Sequence, residues 1–337
     1  MNVGIVGCGL IGNRRGQVAR ASGDEVLLVA DLRQEAVAKT SASLQTAGTL
    51  DWREVAGHPR IEAVVVATYN NSLLPVTVEA LGNGKNVLCE KPLGRNAREA
   101  KAMMDASQAA NRVLKVGFNH RHHPALWRAR EMVQSGKIGP LMSIRAAYGH
   151  GGRPGYDQEW RGDPELAGGG ELLDQGVHVI DLCRWFMGDF VQVSGMLGTC
   201  FWQVAPLEDN GFALLRTAQG QVAQLHTSWT QWQNLFRFEI FGRDGFLLIN
   251  GLGGSYGMET LTLGKRRPES GPPLMETWEF PGPDISWQAE WEEFKKSIQE
   301  RRQPLGNGHD GYQAARVIDA IYESAKTGRV VELEDQS

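Results

Sequence analysis

The sequence predicts an α/β fold in two domains: an N-terminal doubly wound parallel Rossmann sheet, then an α+β domain on an open, mostly antiparallel sheet. Three observations carry this. Over the first 120 residues, continuously apolar runs such as Val3–Val6, Val26–Ala30 and Ala63–Ala67 alternate with helix-length stretches, as in parallel strands covered on both faces. From Leu141 onward strands dominate, with hairpin signals at Gln219-Gly220 and Arg243-Asp244-Gly245. The 337 residues correspond to roughly two domains of about 150 residues.

In the first domain, strands are expected over Asn2–Val6, Glu25–Ala30, Ile61–Ala67, Asn86–Cys89 and Val113–Gly117. Helices fall over Ile11–Ser22, Gln34–Leu44, Pro75–Asn83 and Asn96–Ala110, with Gly23, Gly84 and Asn111 at stop positions. A helix over Pro124–Ser135 links to strands over Leu141–Tyr148, Val191–Phe201, Gly211–Ala218, Gln221–Gln231, Phe236–Phe241 and Phe246–Asn250. One major helix, Glu171–Met187, interrupts them, and helices return over Gln288–Arg301 and Gly311–Lys326. The polar stretch Gly264–Pro283 reads as a surface excursion. The domains are therefore 1–120 and 121–337, with the C-terminal helices (about 286–327) expected to pack back on the first.

Composition excludes several classes. The formal charge is −4, from 35 basic and 39 acidic side chains, which gives no global attraction to nucleic acid or anionic lipid. Apolar runs such as Ala63–Ala67 are far too short to cross a membrane. Met1 leads directly into a strand with no room for a signal peptide, so the expected location is cytoplasmic. Cys8, Cys89, Cys183 and Cys200 show no paired spacing and read as small buried hydrophobes of a reducing compartment.

Gly7-Cys8-Gly9-Leu10-Ile11-Gly12 is a G-x-G-x-x-G sequence that follows a strand and opens a helix, the context dinucleotide binding requires. The glycines permit the tight turn, approach of the pyrophosphate and close helix packing, and the helix N-terminus offers free N–H groups. A plain βα turn is the alternative. Asp31 weighs against it, closing the second strand at about the spacing expected of a ribose-binding acid. It favours NAD over NADP, because a carboxylate repels a 2′-phosphate; Arg33 partly offsets that.

Strand Asn86–Cys89 ends in Glu90-Lys91-Pro92, where an open α/β sheet binds ligands. Lys91 there faces cofactor or substrate, or is simply a solvated loop residue. In the helix after Gly168-Gly169-Gly170, Asp174, His178 and Asp181 share one face of an otherwise apolar element. Such groups are either a satisfied structural pair or a general acid/base histidine with an orienting carboxylate.

With these motifs in this order, joined by Gly117-Phe118-Asn119-x-Arg121, the chain resembles the glucose–fructose oxidoreductase/inositol dehydrogenase/MocA family from Gly7 nearly to its C-terminus. The resemblance implies Lys91, Asp174 and His178 as the catalytic group, with a Lys91–Pro92 bond that is often cis. It implies cofactor contacts from Gly7, Gly9, Leu10, Ile11, Gly12, Asp31, Arg33, Glu90 and Lys91. After the third strand the family's Thr-Pro-Asn and following histidine are replaced by Thr68-Tyr69-Asn70, leaving Thr68 and Asn70 as the candidates for the nicotinamide side.

Substrate contacts are expected from Asn119, Arg121, Asp174 and His178. The glycine-rich segment Tyr148–Leu166 adds Arg153, Tyr156, Trp160 and Arg161, since aromatic rings stack on sugar C–H faces and arginines bind anions; an ordinary surface loop is the alternative. His120-Arg121-His122-His123 reads as a polar hinge with Arg121 facing the cleft, because adjacent histidines rarely converge on one ion; no metal site is expected.

The reading is an NAD-dependent oxidoreductase (NADP second) interconverting a secondary alcohol and a ketone on a sugar, cyclitol or nucleotide-sugar. The alternatives are a reductase of an imine or enone and a non-catalytic NAD- or sugar-sensing protein of the same fold. A homodimer or homotetramer is expected through a sheet face carrying Phe201, Trp202, Trp229, Trp232 and Phe236.

Overall fold

In the computed structural model, which describes residues 1–334, the N-terminal strands assemble into one six-stranded parallel sheet. Its strands are β1 (Asn2–Val6), β2 (Glu25–Ala30), β3 (Ala47–Thr49), β4 (Ala63–Val66), β5 (Asn86–Cys89) and β6 (Leu114–Val116), and its helices are α1 (Leu10–Ala21), α2 (Gln34–Leu44), α3 (Trp52–Gly57), α4 (Asn70–Gly82) and α5 (Ala97–Ala110). The order is β3-β2-β1-β4-β5-β6, the doubly wound arrangement whose reversal at β1/β4 opens a ligand crevice at the carboxyl ends of the strands. Every residue of β4 is buried, as its unbroken Ala-Val-Val-Val requires.

The second sheet is larger. It follows α6 (Pro124–Gln134) and comprises β7 (Leu141–Gly149), then, after α7 (Pro164–Ala167) and α8 (Val177–Met187), β8 (Phe190–Gly198), β9 (Asn210–Thr217), β10 (Val222–Ser228), β11 (Leu235–Gly242), β12 (Gly245–Asn250), β13 (Glu259–Lys265) and β14 (Leu274–Phe280). The chain ends through α9 (Ser286–Glu300), α10 (Gly308–Thr327) and β15 (Val331–Glu332). The nine strands run β14-β13-β12-β11-β7-β10-β9-β8-β15, all antiparallel except the parallel β7–β10 pair.

Two compact units result. One comprises Met1–Asn119, Glu165–Gly168 and Trp287–Ala315; the other comprises His120–Pro164, Gly169–Ser286 and Arg316 onward. The core of the first gathers Val3, Ile5, Val29, Val65 and Leu88 with Trp291 and Phe294 of α9. Trp291 also donates its indole N–H to Asp24 at 2.8 Å. The last three residues of the expected 121–337 domain lie outside the described residues.

Four expectations need correction. Gly264–Pro283 is not an excursion but takes in the turn and second strand of the β13–β14 hairpin; β14 is an edge strand exposed along nearly its whole length, and the polar, Pro- and Gly-marked residues on either side of it read as loop. The strand expected over Val191–Phe201 stops at Gly198, because Asp209 gathers the backbone N–H groups of Cys200, Phe201 and Trp202 at 2.7–2.9 Å and turns the chain out of the sheet. The aromatic interface face is differently composed as well. Trp229 and Phe236 are buried and Phe201 and Trp202 sit in the loop, while the open face carries the row Met196-Phe212-His226-Ala147-Arg237 and, beside it, Leu214. Of the cysteines, Cys200 is exposed and the other three are buried.

Candidate active site

In the N-terminal unit β1 runs into the glycine loop and α1 opens at Leu10. Gly7 has φ +103°, and a Cβ there would lie 2.2 Å from the Ala67 carbonyl oxygen; at Gly12 the clash with the Gly7 oxygen would be 1.8 Å. Around Gly9 a Cβ would meet nothing within 4 Å. The loop is thus packed tight on its protein side and open at Gly9, beside the first N–H groups of the helix and the exposed Leu10. Open backbone donors with no side chain above them are what a pyrophosphate needs.

Asp31 closes that site. Its Oδ2 accepts the Cys8 N–H at 2.8 Å and its Oδ1 the Arg33 N–H at 2.9 Å, so the carboxylate is held against the glycine loop. The Arg33 guanidinium is itself mostly exposed and reaches Oδ1 at 3.3 Å. Burial and the Asp31 charge push the Cys8 thiol up to about 11, so it stays protonated and is no nucleophile. Glycine cradle, helix N-terminus and carboxylate together fit NAD.

The Glu90-Lys91-Pro92 turn leaves β5 through a cis Lys91–Pro92 bond. The Glu90 carboxylate accepts Arg15 Nε at 2.7 Å from α1. Arg15 is fully buried and its Nη1 also reaches Glu290 at 2.6 Å, while Lys115 Nζ lies 3.3 Å from the same Glu290. Burial lowers the pKa of Arg15, and Glu290 and Glu90 more than restore it, so the guanidinium stays charged. Glu90 therefore anchors the turn that carries the half-buried Lys91. The Asn70 amide donates to the Ala167 carbonyl at 2.8 Å and secures the Glu165–Gly168 segment. Thr68 donates to the neighbouring Tyr69 carbonyl at 3.1 Å.

In the second unit the expected helix Glu171–Met187 is a π-helical turn, Leu172–Gly176, continued by α8. Its entry is held by Glu208, which accepts the Leu172 N–H at 3.0 Å and the Tyr322 hydroxyl at 2.8 Å. Gly170 must be glycine, since a Cβ would fall 2.0 Å from the Glu208 carbonyl. A π-turn widens the helix and is frequent at functional sites; here it carries Asp174, four residues before His178. Both are buried, at 7% and 5% exposure. Arg161 donates Nε–H to Asp174 Oδ2 at 2.8 Å and rests over the Trp160 ring. Burial would lower the pKa of Arg161, but Asp174 and Tyr156 raise it further, so the pair is ionic.

The other expected substrate residues have partners within the protein. Arg121 does not face open space: it is 3% exposed and binds Asp181 bidentately at 2.8 and 2.6 Å, which consumes the third member of the ionisable stripe. Arg153 is exposed and paired with Glu159. Tyr156 is buried, edge-on to Trp229 and beside Trp202, and burial raises its hydroxyl pKa. Asn119 is buried.

The structure adds residues that the sequence reading did not assign to the site. His120 stacks on His178 with centroids 3.8 Å apart and planes at 22°. Tyr148, at the end of β7, stands edge-on to His120 at 5.3 Å, and Tyr256 lies 5.4 Å from Tyr148. Burial pushes the Tyr256 hydroxyl up to about 12, although hydrogen bonds with Tyr148 and Gln175 oppose it. The alternation of β7 could have placed Tyr148 on the inner face; nothing local marks Tyr256.

Residues 1–118 match the oxidoreductase family with an NAD-binding Rossmann fold, and residues 126–248 match the GFO/IDH/MocA C-terminal domain. A levoglucosan dehydrogenase of Pseudarthrobacter phenanthrenivorans is 30% identical over 82% of this chain and 81% of its own length. A 1,5-anhydro-D-fructose reductase of Ensifer adhaerens is 30% identical over 83% and 82%. The solved structure of a levoglucosan dehydrogenase in complex with NADH and levoglucosan superposes with TM-score 0.90 at 27% identity, covering 99% of this chain and 100% of that one. The chain belongs to the GFO/IDH/MocA family and is an oxidoreductase whose N-terminal unit is an NAD-binding Rossmann domain.

Proposed function

We propose that the protein interconverts a secondary alcohol and a ketone on a sugar or cyclitol, with NAD as redox partner. The observation that carries the reading is the buried Asp174–Arg161 ion pair beside His178, one turn apart on a π-interrupted helix. When bound, NAD supplies the hydride acceptor. Gly9 and the N-terminus of α1 hold the pyrophosphate and Asp31 takes the ribose hydroxyls. His178 accepts the substrate hydroxyl proton at a ring nitrogen, Asp174 stays anionic and orients the hydroxyl, and Lys91 donates a hydrogen bond to the reacting oxygen. Trp160 and Arg161 face the rest of the substrate. Levoglucosan, anhydro-sugars and inositols are the first candidates, because relatives are named for them.

The test is appearance of reduced nicotinamide with NAD across levoglucosan, 1,5-anhydro sugars, inositols, free sugars and nucleotide sugars. Tight NAD binding without turnover of any of them would favour a sensor instead.

The protein is cytoplasmic in this reading and self-associates through the open sheet face. Met196, Phe212 and Leu214 there are 75%, 47% and 51% exposed, an apolar patch that a second copy would cover. Light scattering on the wild type and on Leu214→Glu tests this: a monomeric wild type at micromolar concentration removes it.

A further inference from the structure

We propose that His120 is a positioning residue for His178: it holds the imidazole by stacking and, through like-charge repulsion across the stack, restricts the two rings to one proton between them near neutral pH. The role rests on the reading of His178 as the group that accepts the substrate proton.

The geometry is specific. The ring centroids are 3.8 Å apart and nearly parallel, at 22°. Both residues are buried, His120 at 6% and His178 at 5% exposure. His120 is itself boxed in edge-on by Tyr148 at 5.3 Å, His123 at 5.6 Å and Phe236 at 5.9 Å. It comes from the short 3₁₀ turn Asn119–His122, not from the helix that carries His178. A ring clamped on several sides presents a fixed face to its partner and limits rotation of the His178 side chain, which is what a proton acceptor needs to stay aligned.

The charges around the pair decide how many protons it holds. On the helix of His178, Asp174 is neutralised by Arg161 and Asp181 by Arg121, while Glu171 is fully buried. From the turn, Arg121 adds a cation already spent on Asp181. His123 is satisfied by Glu259 at 2.9 Å. From β7 and the 254–256 turn, Tyr148 and Tyr256 are neutral phenols whose pKa values burial raises. With the paired carboxylates already matched, a second imidazolium stacked on the first meets a like charge in a desolvated site. Two groups so coupled release their protons in separate macroscopic steps. A single proton on the pair leaves one neutral ring, and oxidation proceeds from the form in which that ring is His178.

Two measurements on the full chain test this. In ring-labelled histidine NMR without substrate, the His178 signal, assigned by its loss in His178→Gln, titrates in the wild type in two steps at least about one pH unit apart. In His120→Phe it titrates in one. Indistinguishable single-step curves in both would overturn the coupling. In kinetics with NAD and a turned-over sugar, His120→Ala lowers kcat about 10- to 100-fold with little change in NAD affinity, and His120→Phe, which restores a flat ring, recovers most of that loss. Equal kcat in His120→Ala and wild type would overturn the positioning role. If no sugar is turned over, the titration still decides the coupling, and that failure counts against the dehydrogenase reading alone.

Discussion

Arg161 and Asp174, 13 residues apart in sequence, meet through a 2.8 Å bond from Nε to Oδ2, and this pairing fixes the charge of the carboxylate one turn before His178. An unpaired carboxylate buried to that degree would tend to take up a proton. Paired, it remains an acceptor and can orient a substrate hydroxyl without competing for its proton. Arg161→Met should therefore lower kcat/KM about 10- to 100-fold, the worth of one charge-assisted hydrogen bond, with NAD affinity unchanged. Arg161→Lys should recover little, since a point charge cannot reproduce the planar guanidinium contact. Steady-state kinetics with NAD titration on the same preparations checks both.

In the proposed mechanism Lys91 and His178 take different parts of one proton-and-oxygen operation. Each alanine variant should lose about 10²–10⁴ in turnover while still binding NAD, and the double variant should lose less than the product of the two. Near-normal turnover in folded His178→Ala, accompanied by a lower melting temperature, would make that histidine structural.

Asp31 should set the cofactor preference. Turnover with NAD should exceed that with NADP, and Asp31→Ala should narrow the gap by removing the repulsion of a 2′-phosphate, with Arg33 then available to it. Equal wild-type efficiency with both cofactors would remove the role.

The sequence disclosed the N-terminal unit more fully than the second one, for physical reasons. Buried parallel strands announce themselves by unbroken apolar runs, and β1, β2 and β5 fall where the runs do. Helix α4 begins at Asn70 rather than Pro75, because an interior proline masks the preceding turn. In the second unit β14 is an exposed edge whose short apolar run is bracketed by polar, Pro- and Gly-rich turns, and those turns hid it. At the candidate site Asp174 and His178 were legible because charges on an apolar helix demand explanation. Their partners were not: Arg161 reaches Asp174 from a separate 3₁₀ turn, and His120 reaches His178 from another. Which arginine was committed was equally hidden. Arg121 and Arg161 look alike in sequence, yet one is locked onto Asp181 and the other holds Asp174.

Asp209 supplies a pH test of stability. Burial would raise the pKa of this carboxyl, but three successive backbone N–H groups, from Cys200, Phe201 and Trp202, together with Asn210, hold it below the ordinary range. A folded-state pKa below the unfolded value of about 3.9 contributes stability that is fully present above that value. It is lost as pH falls through the lower folded pKa. Asp209→Asn should accordingly destabilise the protein by about 2–3 kcal/mol at neutral pH, and the difference from wild type should shrink below about pH 4. Denaturant melts at pH 7 and pH 3 read the effect, and a gap that persists at the acid end would assign the loss to packing instead.

Glu290 tests the buried charges behind the Glu90-Lys91-Pro92 turn. It is fully buried and meets Arg15 at 2.6 Å and Lys115 at 3.3 Å, both also buried. Lys115 has a second acceptor in the Leu305 carbonyl at 2.6 Å, and Arg15 has one in Glu90 at 2.7 Å. Removing Glu290 leaves two cations sharing too little negative charge in a site closed to water. Glu290→Ala should cost about 3–5 kcal/mol, the penalty of an uncompensated buried charge. Glu290→Leu combined with Lys115→Met should cost less than Glu290→Leu alone, because one orphaned cation is removed with its partner and Arg15 keeps Glu90. The same logic predicts a functional echo. Arg15 without Glu290 pulls harder on Glu90, so NAD-supported turnover should fall in Glu290→Ala beyond what its folded fraction explains, and should stay low in the double variant, which lacks Glu290 as well. Unfolding midpoints and kcat measured on all three variants decide it: equal stability of the single and double leucine variants would mean that Lys115 is satisfied by Leu305 and that Arg15 bears the whole loss.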